Sequence, residues 1–140
     1  MVHLDPESLA KGDVAFMNSD HQKEARCLNR VLDAIEALRT GQSTQEEVLA
    51  AWKAFEASVR ETFAREEQAM IRCKFPEYPL HNGEHKLVLA AMEAEGRSFE
   101  IEGDAERLGI YAEIAMSEWL LHHVDSLDRV TARFLAEHGV

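Results

Sequence analysis

Two histidines, His81 and His85, stand four residues apart in the segment Tyr78-Pro79-Leu80-His81-Asn82-Gly83-Glu84-His85-Lys86. On a helix, side chains at i and i+4 lie one above the other, so both imidazoles can reach one metal ion. The pair alone discriminates poorly, because two solvated or hydrogen-bonded core histidines share the spacing. Other segments add to it. Glu66 belongs to the stripe Val48, Trp52, Phe55, Val59, Thr62, Glu66, Met70 and Cys73, which recurs at three- and four-residue steps and is otherwise mostly apolar. A polar group on a core face needs a hydrogen bond or a metal as partner. His21 opens another amphipathic segment, and His123 lies on the stripe Leu108, Ala112, Ala115, Trp119, His123 and Leu127. Asp128 follows His123 by five residues, which in an α-helix turns it roughly 140° off that face. A local widening of the helix, of the kind found at functional sites, would bring it round. Singly, each residue has an ordinary reading: His21 beginning a helix, Glu66 solvated beside Glu67, Asp128 paired with Arg129 or Arg133. Together they are four imidazoles and two carboxylates able to converge, and burying such a set unpaired is expensive. Nitrogen and oxygen donors without thiolate suit iron, manganese or zinc. Paired carboxylates suit a dinuclear centre.

Four helices are needed to position these groups. The first spans roughly 19–40, with Asn18, Ser19 and Asp20 as N-cap candidates and Ala25, Leu28, Val31, Leu32, Ile35 and Leu38 at helical spacing before Gly41. The second spans roughly 44–74, opened by Ser43 or Thr44 with Glu46 or Glu47 three residues on, and stopped by Pro76. The third spans roughly 79–96, with Pro79 in its first turn and His81, His85, Val88 and Met92 inward. Gly83 inside it costs about 1 kcal/mol relative to Ala, for no reason visible in the sequence. Gly96 to Gly103 reads as a loop or frayed end, and the fourth helix spans 104–137. Residues 1–17 form an extended arm, turned at Pro6 and Gly12, with Leu4, Leu9, Val14 and Phe16 to bury. The expectation is an all-α, up-down-up-down four-helix bundle in one domain over 1–140.

Composition narrows the partners. The chain has 140 residues, 46% hydrophobic and 29% charged, which is globular rather than disordered. A net charge of −11 argues against nucleic acid and anionic membrane. No run approaches the ~20 apolar residues of a membrane span, and the first residues lack a signal-peptide pattern. Cys27 and Cys73 are too few for a disulfide framework and suit a cytoplasmic chain, although a bridge between them is open on sequence grounds. His122 points about 100° from His123 and reads as a surface residue. His3 and His138 lie near the ends and read as solvated. Cys73 reads as a core thiol, and Trp52, Phe55 and Trp119 as packing that would also keep a pocket dry.

Four segments in order, Ser19-Asp20-His21-Gln22, Thr62-Phe63-Ala64-Arg65-Glu66-Glu67-Gln68-Ala69-Met70, Tyr78 to His85, and Trp119-Leu120-Leu121-His122-His123-Val124-Asp125-Ser126-Leu127-Asp128, resemble the helix motifs of bacterial hemerythrins. The resemblance covers nearly the whole chain. It implies a bundle around a non-haem di-iron site, with a bridging oxo or hydroxo group, that reversibly binds dioxygen. One iron would take His81, His85 and His123, Glu66 and Asp128 would be shared, and His21 would serve the second iron. The family's second motif reads His-Phe-x-x-Glu-Glu, whereas this chain has Thr62-Phe63-Ala64-Arg65-Glu66-Glu67, so one histidine ligand of the second iron is replaced. Three outcomes compete: Glu24, one turn from His21, steps in; water held by Thr62 fills the place; or the second metal is lost. The functional expectation is binding of dioxygen or another small diatomic for storage, delivery or sensing, with no catalytic residue assigned. The alternatives are an enzyme acting on peroxide or nitric oxide, and a structural bundle with a vestigial metal site. Partner proteins are not named by the sequence.

Overall fold

Capping chemistry sets the ends of the helices in the computed structural model, which describes residues 1–140. Helix α1 (Ala15–Arg39) ends where Gly41 takes φ 76°, with Gln42 N–H bonded to Ala37 C=O and Gly41 N–H to Leu38 C=O. That left-handed turn closes orphan carbonyls at little steric cost for glycine. Helix α2 (Gln45–Arg72) starts under the Thr44 hydroxyl, which accepts from Glu47 N–H at 3.2 Å. It ends with the same pair of bonds, Phe75 N–H to Met70 C=O and Lys74 N–H to Ile71 C=O, around Lys74 at φ 57°. Helix α3 (Tyr78–Glu102) places Pro79 in its first turn and ends at Gly103. Asp104 caps the fourth helix by accepting from Arg107 N–H at 3.0 Å.

The fourth helix is continuous but not uniform. It passes through Ala105–Ile110 (α), Tyr111–Met116 (π), Ser117–His123 (α), Val124–Asp128 (π) and Arg129–Glu137 (α). Each π turn takes up one more residue than an α turn and rotates everything after it. The buried positions are Leu108, Gly109, Ala112, Met116, Leu120, His123, Asp128, Thr131, Ala132 and Leu135. The α-periodic stripe therefore fails at two places. Ala115 is exposed and Trp119 half-buried, because the first π turn hands their places to Met116 and Leu120. Leu127 is half-buried, and Asp128 faces inward in its stead.

The chain is all-helical, with α1 packed along α2, α2 against α3, and the fourth helix against α1 and α3, as in an up-down-up-down bundle. Residues before Ala15 run along the bundle through a short 3₁₀ turn at Pro6–Leu9 and bury Leu4, Leu9 and Val14. Two apolar clusters fill the interior. The larger includes Leu28, Leu32 and Ile35, Trp52, Phe55 and Val59, Val88 and Met92, Leu108 and Leu120. The smaller joins Val14 and Met17 to Ala69, Ala132 and Leu135. The inward polar residues fall between them: His21 between Met17 and Leu28, Glu66 between Phe63 and Ala69, His123 and Asp128 between Leu120 and Ala132. No helix is long and apolar enough to cross a membrane.

Two boundaries differ from the sequence reading. Helix α1 begins at Ala15, not near residue 19, because Asn18 is not a cap. Its side-chain amide grips the Gly12 backbone from both sides, accepting from Gly12 N–H and donating to Gly12 C=O, each at 2.9 Å. Asp20 forms a two-point pair with Arg65 at 2.8 Å. The stretch 96–102 is helix, not loop. Gly96 is buried where α3 crosses α2, and a Cβ there would stand 2.7 Å from both Trp52 Nε1 and Glu56 Oε1. Glycine at position 96 permits close approach of two helices and breaks nothing.

Gly83, by contrast, has open space around its Cα. Gly83→Ala is expected to stabilise the fold by about 1 kcal/mol, the helix-propensity difference. Gly96→Ala is expected to destabilise it by roughly 1–3 kcal/mol, because Trp52 is fully buried and must move. Urea unfolding of both variants checks the opposite signs.

Candidate metal centre

His81 and His85, one turn apart near the start of α3, reach the bundle interior together with Glu66 from α2 and His123 and Asp128 from the fourth helix. One ligand-capable atom from each of these five buried residues lies within 4.8 Å of the others. The π turn at Val124–Asp128 is what puts Asp128 there. His21, from the first turns of α1, meets the same two carboxylates from the other side.

The two carboxylates divide their oxygens. Asp128 Oδ1 lies 3.0 Å from His81 Nε2 and 3.1 Å from His123 Nε2, while its Oδ2 lies 3.1 Å from His21 Nε2. Glu66 Oε1 lies 3.3 Å from His85 Nε2 and 3.7 Å from His81 Nε2, while its Oε2 lies 3.0 Å from His21 Nε2. Each carboxylate thus spans from a three-histidine side to a one-histidine side. Two donors about 2.1 Å from one small ion, at right angles to each other, stand about 3.0 Å apart. The four separations of 3.0–3.1 Å match that packing of ligands, while Glu66 Oε1 stands farther out, at 3.3 and 3.7 Å. Several of these atoms are close without being aligned for hydrogen bonding: Glu66 Oε1, Asp128 Oδ1 and His85 Nε2 are buried and unpartnered. His81 Nε2 and His123 Nε2 face each other at 3.2 Å. Lone pairs aimed at a common point, rather than at one another, produce this pattern, so the donor set fits a metal.

The outer nitrogens of the three-histidine side are all held. His81 Nδ1 is 2.7 Å from Thr131 Oγ1, His85 Nδ1 is 2.8 Å from Glu67 Oε2, and His123 Nδ1 is 2.7 Å from Glu84 Oε1. An acceptor at Nδ1 fixes the tautomer that leaves the Nε2 lone pair free and turns each ring. Rings cover the same side: Phe63 stacks on His85 with centroids 3.6 Å apart, and Trp119 on His123 at 4.4 Å. His21 Nδ1, on the other side, is buried without a partner. The two halves are therefore built differently.

Electrostatics follow the geometry. Burial alone would lower the pKa of His21, but Asp128 and Glu66 beside it hold it well above the usual histidine range. His123 is likewise depressed by burial, yet Asp128 and Glu84 push it up to about 9. Burial would raise the Asp128 carboxyl, and contacts from His123, His21 and His81 instead keep it well below the usual carboxylate range. A cation held by these residues would take over the positive charge that imidazolium otherwise supplies.

Two further residues face this region. Thr62 is fully buried with an unpartnered hydroxyl, and Glu24, on α1, is buried with Oε1 unpartnered. Burial pushes the Glu24 carboxyl up to about 8. All six of His21, Glu66, His81, His85, His123 and Asp128 are buried together. His122 and the terminal His3 and His138 are exposed. Cys27 and Cys73 are both free thiols, and Cys73 is half-buried at the end of α2. Trp52 and Phe55 belong to the large core, whereas Trp119 covers the site. Sequence reading missed Glu67, Glu84, Thr131 and Phe63. The signal for Thr131 was weak: a polar residue three positions after Asp128, on the shifted inward stripe.

Thr131→Val removes the partner of His81 Nδ1 and is expected to weaken metal binding roughly 10–100-fold, the usual cost of losing such a partner. Glu84→Gln should act similarly but less, since an amide oxygen still accepts. Competition with a chromophoric chelator measures both.

Comparison with known proteins agrees with the site. The chain is 34% identical over 133 residues to the bacteriohemerythrin of Ralstonia nicotianae, covering 95% of this chain and 88% of the relative. It is 24% identical over 134 residues to the bacteriohemerythrin of Aquifex aeolicus, covering 94% and 97%. No protein-family model matches the chain, and no solved structure matches it. With a buried histidine–carboxylate cluster at the heart of a four-helix bundle and that relationship along nearly its full length, the chain belongs to the bacteriohemerythrin family.

Proposed function

We propose that this chain is a non-haem iron protein that binds dioxygen or another small diatomic ligand for storage, delivery or sensing, with an altered second iron site. The observation that carries the reading is the division of both buried carboxylates between the two sides of the cluster. His81, His85 and His123 would hold one iron, His21 would serve a second, and Glu66 and Asp128 would be shared, with an oxo or hydroxo bridge between the ions. Iron in such a centre supplies reversible electron donation to the diatomic. The protein's part is to orient the donors through Thr131, Glu67 and Glu84 and to exclude water with Phe63 and Trp119. An apolar groove of about 280 Å³, lined by Val88, Met116 and Trp119 among others, borders the ring that stacks on His123. Both thiols being free is in keeping with a cytoplasmic protein.

Thr62, in place of an imidazole, supports a second reading, an enzyme turning over peroxide or nitric oxide at a more open iron. Absorption spectra separate the two. Binding gives an oxygen-dependent band that reverses on deoxygenation. Turnover gives bleaching with consumption of peroxide or nitric oxide.

Iron content and stability give the direct test. His85→Ala should lose iron from the three-histidine half, and full iron content with unchanged spectra in that variant would refute the assignment. Removing iron by chelation should lower the melting temperature, since metal at one hundred times its Kd stabilises the folded state by about 2.7 kcal/mol. An unchanged melting temperature in verified iron-free protein would favour a vestigial site.

A further inference from the structure

The register between α1 and α2 is pinned by named pairs. Asp20 meets Arg65 at 2.8 Å, Lys23 meets Glu61 at 3.7 Å, and His21 meets Glu66 at 3.0 Å. The helices run antiparallel, so a step forward along one is a step back along the other. Glu24 follows Lys23, and Thr62 follows Glu61. Glu24 is also one turn beyond His21, as Thr62 is one turn before Glu66. Glu24 and Thr62 therefore face the pocket at one level, from opposite helices, on the His21 side.

Both residues are unusual where they stand. Thr62 Oγ1 and Glu24 Oε1 are buried and unpartnered. Glu24 is 1% exposed on a helix face otherwise made of Ala25, Leu28, Val31 and Leu32. A buried carboxyl with an oxygen left unpartnered costs stability, and replacement by an apolar residue would relieve it. None of the basic residues of α1 and α2 turns inward to pair with it: Lys23, Arg26 and Arg65 lie toward solvent. The register of α1 on α2 instead sets it one turn from His21, on the side where His21 meets Glu66 and Asp128. A threonine side chain is shorter than an imidazole, so position 62 yields the volume that a carboxylate from α1 can enter.

We propose that Glu24 is a protein ligand of the second metal position, taking the place that Thr62 vacates. The half-sites then differ in donor type. One is nitrogen-rich, with His81, His85 and His123. The other is oxygen-rich, with His21 as its single imidazole beside Glu24, Glu66 and Asp128. A harder, more negative donor set favours the ferric over the ferrous state at that position. This inference rests on the iron-binding reading above.

The test is ferrous iron added anaerobically to iron-free full-length protein, followed by metal analysis per chain and, after oxidation of the bound iron with ferricyanide and removal of the excess, reductive titration. Wild-type protein is expected to take up about two ions per chain, and Glu24→Leu about one, with the three-histidine half retained. Adding Thr62→His to Glu24→Leu should restore the second ion, because an imidazole re-enters from α2. Glu24→Gln removes the charge with little change in shape, and whatever second-site iron it keeps should be reduced at a higher potential. Glu24→Leu buries no charge and should fold at least as well as wild type, so loss of an ion cannot be put down to unfolding. If Glu24→Leu keeps the wild-type iron count and spectrum, Glu24 is not a ligand, and the iron-binding reading stands untouched. If wild-type protein takes up no iron, that reading fails and this inference with it.

Discussion

Everything in this bundle answers to one constraint: charged groups cannot sit in an apolar interior without compensation. Six ionisable side chains, His21, Glu66, His81, His85, His123 and Asp128, occupy a band between two apolar clusters. Left as an unpaired set they would cost many kcal/mol. Compensation comes in layers. The carboxylates face imidazole nitrogens at 3.0–3.7 Å, and the outer nitrogens of three rings face Thr131, Glu67 and Glu84. Glu67 and Glu84 are only half-buried and keep part of their hydration, which makes them cheap partners for a buried ring. The inner donors, several unpartnered and pointed at a common centre, are what a metal would complete.

That constraint also accounts for the irregular fourth helix. A regular α-helix that presents His123 inward presents Leu127 next, and leaves Asp128 off the face. The π turn at Val124–Asp128 reverses the choice. Such a turn gives up good hydrogen-bond geometry, so it persists only where something is gained. Here the gain is a carboxylate whose two oxygens reach both sides of the cluster. The earlier π turn at Tyr111–Met116 shifts the phase once before, so that Met116 and Leu120, not Ala115 and Trp119, fill the core. Trp119 is thereby left at the edge, where it stacks on His123 instead of filling the interior.

The two sides of the cluster are unequal in support as well as in composition. The three-histidine side is fixed by hydrogen bonds and stacked rings, and its geometry is over-determined. The His21 side has an unpartnered Nδ1, a threonine hydroxyl with nothing to bind, and a buried carboxylate from α1. This side is held by fewer contacts, and its arrangement follows from α1 and α2 rather than from the pair of histidines on α3.

Helix number and order, and the inward faces of the first three helices, were legible in the sequence, because a 3.6-residue period and residues such as Thr44, Gly41 and Asp104 act locally. So were the polar members of the inward stripes, since an apolar repeat makes a His or Glu within it conspicuous. The family resemblance added which of them could belong together, and that Thr62 stands where a histidine was expected. What local pattern could not decide was set by contacts between distant segments. Asn18 reads as a cap until the arm lies beside it and Gly12 claims its amide. Gly96 reads as a break until Trp52 and Glu56 are seen to need the space. Thr131, Glu67 and Glu84 find their histidines across helix boundaries, where sequence spacing carries no information. The phase of the fourth helix depends on two π turns whose benefit appears only once α2 and α3 are in place. Local rules determine which face of a regular helix is buried; only the packed bundle decides where the fourth helix departs from regularity and which polar atoms on the inward faces meet.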